Sequence, residues 1–270
     1  MGLFLKFLLE GIYQSGQGGY FLQLKTDGLI LCEKNISDND RLLTIITRHH
    51  GVIRAFSKGS KNTKNKNFAA IQTLCYSDFI IFKGKNKYII NEANLKNSFW
   101  NIRSDIENLA LAQYFCEIVL TLVDENFESQ NILRLILNSI YYLNENKVNN
   151  KIIKSVFEMR ILSMLGYMPD LLGCSSCNDF KPNKMFFDFK KNQLICNKCL
   201  NHAQNFIELS PSLLTALRYC IYSDFKKMFF FEINNENLKS LNKITESYLM
   251  DCLYKPLNSL DFYKKVIMSY

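Results

Sequence analysis

The chain has 270 residues, 48% of them apolar, and a formal net charge of +8. That length allows two globular domains with cores of their own and room for a small module besides. No run of about 18 or more apolar residues occurs, which excludes a membrane-spanning helix of the usual kind. The positive balance suits an anionic partner, and nucleic acid and a membrane surface both satisfy it.

In chain order, residues 1–24 come first. They contain MGLFLKFLLEGIYQ and a glycine-rich SGQGGY and show no clear period. Lys6 and Glu10 interrupt the apolar stretch, and no basic segment precedes it, so a signal peptide is not expected. A docked strand, a mobile arm and translation from an upstream start all fit, and the extension is given no role. The expectation is a soluble, cytoplasmic protein.

From Thr26 to Asn97 the pattern is that of β structure. Leu29–Glu33, Leu42–Thr47, Val52–Ser57, Leu74–Phe82 and Tyr88–Glu92 are short and rich in Ile, Leu, Phe and Tyr, with Asn35, Asp38, Gly51, Gly59 and Gly84 as turn residues. Five such segments predict a small Greek-key barrel of the OB type, with an SH3-like barrel as its rival. Within this region, Arg41 to Ser77 holds no acidic residue and seven basic ones: Arg41, Arg48, Arg54, Lys58, Lys61, Lys64 and Lys66. Uncompensated cations on a hairpin and its outgoing loop suit a polyanion, although a solvated basic face has the same composition. Lys83, Lys85 and Lys87 extend the set at the next hairpin. Phe56 and Tyr76 are candidates for base stacking or for the barrel core. Asp38 and Asp40 are expected to shape the loop before the second strand. His49-His50, at the turn marked by Gly51, have no carboxylate or nucleophile nearby in sequence and are expected at the surface or against DNA.

Near Ser104 the pattern changes to helical. Ser104 and Glu107 have capping-box spacing, and Ile106, Leu109 and Ala110 begin an apolar face. Ile132–Leu143 predicts a second helix. Ile153, Val156, Phe157, Ile161 and Leu165 predict a third, with Gly166 as its C-cap and Pro169 as its stop. Ser210-Pro211 reads as the start of a further helix, and Ile233–Tyr254 as at least one more. The domain boundary is placed near 98–104, and there is no internal repeat.

The chain has nine cysteines. Cys32, Cys75, Cys116, Cys220 and Cys252 stand singly in apolar segments and read as small buried hydrophobes. The other four form Cys174-Ser-Ser-Cys177 and Cys196-Asn-Lys-Cys199, with 18 residues between the pairs. Two such knuckles, brought together by a hairpin in MFFDFKKNQLI, close a tetrahedron of thiolates around Zn²⁺. Four free thiols, or redox chemistry at one pair, is the competing reading. Four protein ligands leave no open coordination position, so the ion is expected to be structural. None of His49, His50 or His202 opens the His-x-Glu element that a zinc deaminase needs. The phosphate-cradling G-x-x-x-x-G-K-[ST] is also absent, and SGQGGY is not a dinucleotide fingerprint. No residue is assigned a catalytic role.

Several elements occur in the order found in one family. They are DGLIL at Asp27–Leu31, SDNDRLLTIITRHHGVIRAFSKGSKN from Ser37, NEANL, FEMRILSMLGYMPDL from Phe157, and the paired cysteines after it. Over residues 26 to about 205 the chain resembles the bacterial recombination mediator family RecO. The resemblance implies an α+β protein: an N-terminal OB-fold β-barrel (25–100), then an all-α C-terminal domain (101–270) carrying an inserted four-cysteine zinc-binding module at about 171–205. It implies a non-catalytic role in recombinational DNA repair, nucleoid-associated in the cytoplasm. That role comprises binding single- and double-stranded DNA, annealing complementary strands and helping to load the recombinase. The implied partners are RecR, the acidic C-terminal tail of single-strand-binding protein and, indirectly, RecA. Some relatives lack the cysteines, so zinc rests on this chain's own spacing. Two other classes remain open: a zinc-stapled protein–protein adaptor without direct DNA binding, and a zinc-ribbon nucleic-acid enzyme such as a ligase or helicase fragment.

Overall fold

Alternating apolar and polar residues along five strands roll the chain between Tyr20 and Asn97 into a closed barrel. The computed structural model describes residues 10–14, 20–85, 87–200, 206–253 and 255–269. Strand β1 (Glu10–Gln14) pairs antiparallel with the start of β2 (Tyr20–Asn35), so part of the N-terminal extension is a docked strand. The rest of it (1–9 and 15–19), together with 201–205 and His202, lies outside the described residues. The first barrel strand therefore begins well before Leu29. Its early half pairs with β5 (Tyr76–Lys83) and its later half with β3 (Arg41–Thr47). A bulge between Ile30 and Cys32 lets one strand serve both neighbours.

With β4 (Val52–Ser57) and β6 (Tyr88–Asn97), the strand order is β2-β3-β4-β6-β5, closed by β2–β5. The β4–β6 pair is parallel. This is the five-stranded Greek-key order of an OB barrel, and it sets aside the SH3-like alternative. Leu24, Ile30, Leu43, Ile45, Ile53, Phe79 and Ile81 fill the interior, and a 3-10 turn at Phe68–Ile71 adds Ala70 and Ile71. Each such aliphatic or Phe side chain contributes about 1.5–3 kcal/mol by burial. Leu74, read from the sequence as strand, has φ +68 and lies outside the ladder, which starts at Tyr76.

Gly51 lies between β3 and β4 at φ +66. A Cβ there would sit 2.0 Å from the Asp124 carbonyl oxygen. That close approach lets the 124–129 segment bond the turn: Val52 N donates to Asp124 O (3.2 Å), Gly51 N to Ser129 Oγ (3.1 Å), and Ser129 Oγ to Thr47 O (2.7 Å). Gly51→Ala is expected to cost at least about 2 kcal/mol, because a left-handed backbone penalty adds to a backbone clash. Chemical denaturation of the full chain checks this.

Helix α1 (Ile106–Leu122) starts one residue later than the capping-box reading placed it. Ser104 ends a 3-10 turn, and the Asp105 carboxylate accepts from Asn108 N at 3.0 Å. Helix α2 spans Gln130–Glu145 and α3 spans Asn150–Met164. Gly166 N donates to Ser163 O and Tyr167 N to Leu162 O, the Schellman pair that ends α3 at the predicted glycine (φ +90). Helix α4 (Pro211–Tyr222) is capped by Ser210 as predicted. Helix α5 (Asn235–Leu253) occupies the last predicted segment, and α6 (Asn258–Met268) follows it. Between α3 and α4 stands a three-stranded sheet, β7 (Met185–Asp188), β8 (Gln193–Cys196) and β9 (Phe206–Leu209), in the order β8-β7-β9. No helix among the described residues is long and apolar enough to cross a membrane.

Two compact units result. One holds the described residues through Ile140 together with those from Phe262 onward, and the other runs from Tyr141 to Asp261.

Candidate nucleic-acid interface and metal centre

Period-two alternation decides which cations of the barrel face water. On β4, Ile53, Ala55 and Ser57 point inward, so Arg54 is exposed and Phe56 half-buried on the outer face. The β5–β6 turn rises beside them and brings Lys83, Lys85 and Lys87 to the same groove, of about 620 Å³. The Lys83 ammonium stands 5.3 Å over the Tyr88 ring. Asp124 and Glu125, just past α1, form part of the same lining.

The second group of cations rides on the 58–67 loop, which side-chain amides and a carboxylate hold in shape. Asn65 Nδ2 donates to the carbonyls of Lys58 (3.2 Å) and Gly59 (3.0 Å), and Asp40 Oδ1 accepts from Gly59 N (2.8 Å). Asn67 bonds β6 through Ala93 N at 3.1 Å and Asn91 O at 3.4 Å. Asp40 thus shapes this loop as well as its own. Lys58, Lys64 and Lys66 are exposed, and Lys61 is half-buried. Among the described residues none of Arg54, Lys58, Lys61, Lys64, Lys66, Lys83, Lys85 and Lys87 has an ion-pair partner.

Arg41 and Arg48 differ. Arg41 pairs with Glu33 at 2.9 Å and lies 5.7 Å over the Phe68 ring. Arg48 Nε donates to Asp27 Oδ1 at 2.7 Å, its second nitrogen bonds Oδ2, and the Tyr76 hydroxyl donates to the same carboxylate. Burial pushes the Asp27 pKa up, but the bonds from Arg48 and Tyr76 outweigh it and hold the carboxyl below its usual range. Tyr76 is therefore a buttress of this network, with Lys96 5.2 Å over its ring. His49 Nδ1 lies 2.9 Å from Glu128 Oε1, and His50 is buried (6% exposed). The surface placement expected for both histidines thus fails for His50, because the turn is covered by the 124–129 segment.

In the other unit, the β7–β8 hairpin does what its sequence predicts and carries Cys196 to Cys174. All four Sγ atoms of Cys174, Cys177, Cys196 and Cys199 lie within 4.8 Å of one another, with Cys177 and Cys196 at 3.7 Å. Four thiolates about 2.3 Å from Zn²⁺ define tetrahedron edges of about 3.8 Å, so the set can hold a metal ion. Ile195, Phe186, Leu200 and Phe206 pack around the buried Cys174 and Cys196. Burial opposes ionisation of Cys174, yet amide N–H groups of Cys196, Ser176 and Cys177 aim at its sulfur and bring its pKa down to about 6. Sharing protons with Cys177 and Cys196 pushes Cys199 up to about 12. Without a cation the cluster resists carrying four negative charges, and a divalent ion removes that conflict.

The comparisons with known proteins agree with this geometry. The family described as "Recombination protein O N terminal" matches residues 22–99, and "Recombination protein O C terminal" matches 103–261. The DNA repair protein RecO of Acetivibrio thermocellus is 36% identical over 241 residues, covering 89% of this chain and 96% of that one. Its counterpart from Alkaliphilus metalliredigens is 29% identical, covering 90% and 99%. This chain belongs to the RecO family. As a RecO protein it has the OB-like barrel in its N-terminal match and the four-cysteine cluster in its C-terminal match. Sequence reasoning missed three features of this RecO chain: the acidic lip at Asp124 and Glu125, the His49–Glu128 pair, and strand β9. Asp124 and Glu125 follow an apolar helix with no local signal that they reach the barrel groove.

Of the five single cysteines, Cys75, Cys116 and Cys220 are buried and Cys32 and Cys252 half-buried. Burial pushes the Cys220 thiol up to about 12.

Proposed function

We propose that this RecO-family protein is a non-catalytic DNA-binding recombination mediator. It binds single- and double-stranded DNA, anneals complementary strands and helps load the recombinase in recombinational repair. The observation that carries the reading is the set of cations without carboxylate partners on one OB barrel. Arg54, Lys83, Lys85 and Lys87 surround the half-buried Phe56 at a groove, and Lys58, Lys61, Lys64 and Lys66 lie on a braced loop. Such a surface neutralises phosphates with little regard to sequence, and an aromatic beside it offers a face to a base. Arg41 and Arg48, committed to Glu33 and Asp27, contribute to the barrel and not to the phosphate contacts.

In this reading the partners are RecR, the acidic C-terminal tail of single-strand-binding protein and, indirectly, RecA. Annealing would come from screening two strands on one basic surface while their pairing edges stay accessible. The four-cysteine module takes one Zn²⁺, which is structural because protein sulfur fills all four positions.

The test is a salt-titrated binding assay on single-stranded DNA. It compares the full chain with a variant in which Arg54, Lys83, Lys85 and Lys87 are all alanine. Each lost phosphate contact removes about 0.7 from the slope of log affinity on log salt, so the variant's slope is expected to be shallower by about 3. Equal affinity and slope would instead favour the adaptor reading, in which the basic surface meets acidic protein segments.

A further inference from the structure

The groove has walls of opposite charge. Arg54 on β4 and Lys83, Lys85 and Lys87 on the β5–β6 turn line it together with the exposed Asp124 and Glu125. No ion pair joins the two sets among the described residues. The acidic side is anchored through its backbone and through the Glu125 carboxylate. Val52 N bonds the Asp124 carbonyl, a β-bridge joins Gly51 to Glu125, and Glu125 Oε1 accepts the Tyr88 hydroxyl at 2.7 Å. Tyr88 is itself a barrel-core residue, 7% exposed.

We propose that Asp124 and Glu125 are specificity-determining residues that make this groove accept one phosphate backbone and reject a second, selecting a single strand over duplex. The inference rests on reading the groove as a DNA surface and names the substrate class of that same site. A single strand can lay its phosphates along the cationic wall and turn its bases elsewhere. In a duplex the two backbones stand rigidly on either side of grooves about 6 and 12 Å wide. Seating one backbone on the lysines therefore brings phosphates of the other toward Asp124 and the anchored Glu125. Like charges held in place raise the energy of that partner and leave the correct one untouched. Duplex then depends on the loop cations at Lys58, Lys61, Lys64 and Lys66, which form no ion pair among the described residues.

The experiment uses the full chain and its Asp124→Asn/Glu125→Gln variant. Both substitutions are isosteric, and the glutamine oxygen still accepts the Tyr88 hydroxyl. Anisotropy titrations at low salt use a labelled oligonucleotide of about 15 nucleotides and the blunt duplex of the same sequence. Duplex affinity is expected to rise about tenfold in the variant, with single-strand affinity changed less than about twofold. Equal gains on both probes would show only a general electrostatic brake and overturn the inference, as would no change on either. Wild-type protein that binds neither probe would sink the DNA reading itself, a result separable from failed discrimination.

Discussion

Stripping zinc from the four-cysteine module is expected to unfold residues 171–200 and strand β9 while the OB barrel stays intact. The cluster around the cysteines is small, Ile195 with Phe186, Leu200 and Phe206 packed on it, although Met185, Phe187, Phe189 and Leu194 are buried as well. The module's three strands are only four residues each. Structural zinc contributes an apparent 10–16 kcal/mol or so in small modules of this kind, far more than four-residue strands supply. A thiol-competing chelator should release one zinc per chain, measured by a colorimetric metal assay. Limited proteolysis should then cut first between Leu171 and Leu209. Cys196→Ser should purify with no zinc and show the same cleavage. Protons compete with the metal for sulfur, so retention weakens as pH falls. A chain that loses zinc yet resists proteolysis would show that packing alone holds the module.

The second large effect lies in the same unit. Lys154 and Glu158 are one turn apart on α3 and almost wholly buried, their side chains 3% and 0% exposed. The ammonium bonds Glu158 at 2.7 Å and Glu246 on α5 at 3.0 Å, and the Thr245 hydroxyl donates to Glu158 at 2.6 Å. Burial works against the lysine charge, but the two carboxylates outweigh it and hold its pKa above the usual range. Glu158→Ala removes the better partner and leaves a buried cation short of compensation, at an expected cost of about 3–5 kcal/mol in chemical denaturation. Lys154→Met/Glu158→Leu should recover most of that, because an apolar pair of similar volume has no charge to desolvate. The sign with pH is definite. The folded state raises this lysine's pKa, so the stabilisation is complete below the ordinary lysine value and disappears as pH rises through the raised one. Wild-type protein should therefore lose stability on the alkaline side more steeply than the apolar double variant.

These residues show how differently a motif can be read. Glu158 and Arg160 belong to FEMRILSMLGYMPDL, one of the segments that carries the family resemblance. In the structure they are scaffold. Arg160 is 4% exposed, and its Nε holds the Cys220 carbonyl at 2.8 Å, tying α3 to the end of α4.

Elements governed by near neighbours were legible. The five barrel segments, the Ser210 cap, the Gly166 stop and the cysteine hairpin each depend on residues a few positions apart. Boundaries moved where a distant group intervened. β2 runs back to Tyr20 because β5 and β1 offer it ladders, which no property of residues 20–28 announces. The cations are the sharpest case. Ten were candidates from local charge alone, and nothing local separates Arg54 from Arg48.

By its own spacing and periodicity, the sequence determined the five barrel segments, five of the helices and the pairing of four cysteines, and the order of its motifs carried the family resemblance. Only the tertiary structure decided which cations are free for a partner. Arg48 meets Asp27 from 21 residues away and Arg41 meets Glu33 across a hairpin, while Arg54, Lys83, Lys85 and Lys87 converge with no carboxylate bonded to them. The reason is physical: a charge acts over a few ångströms of space, and the fold sets which residues share that distance.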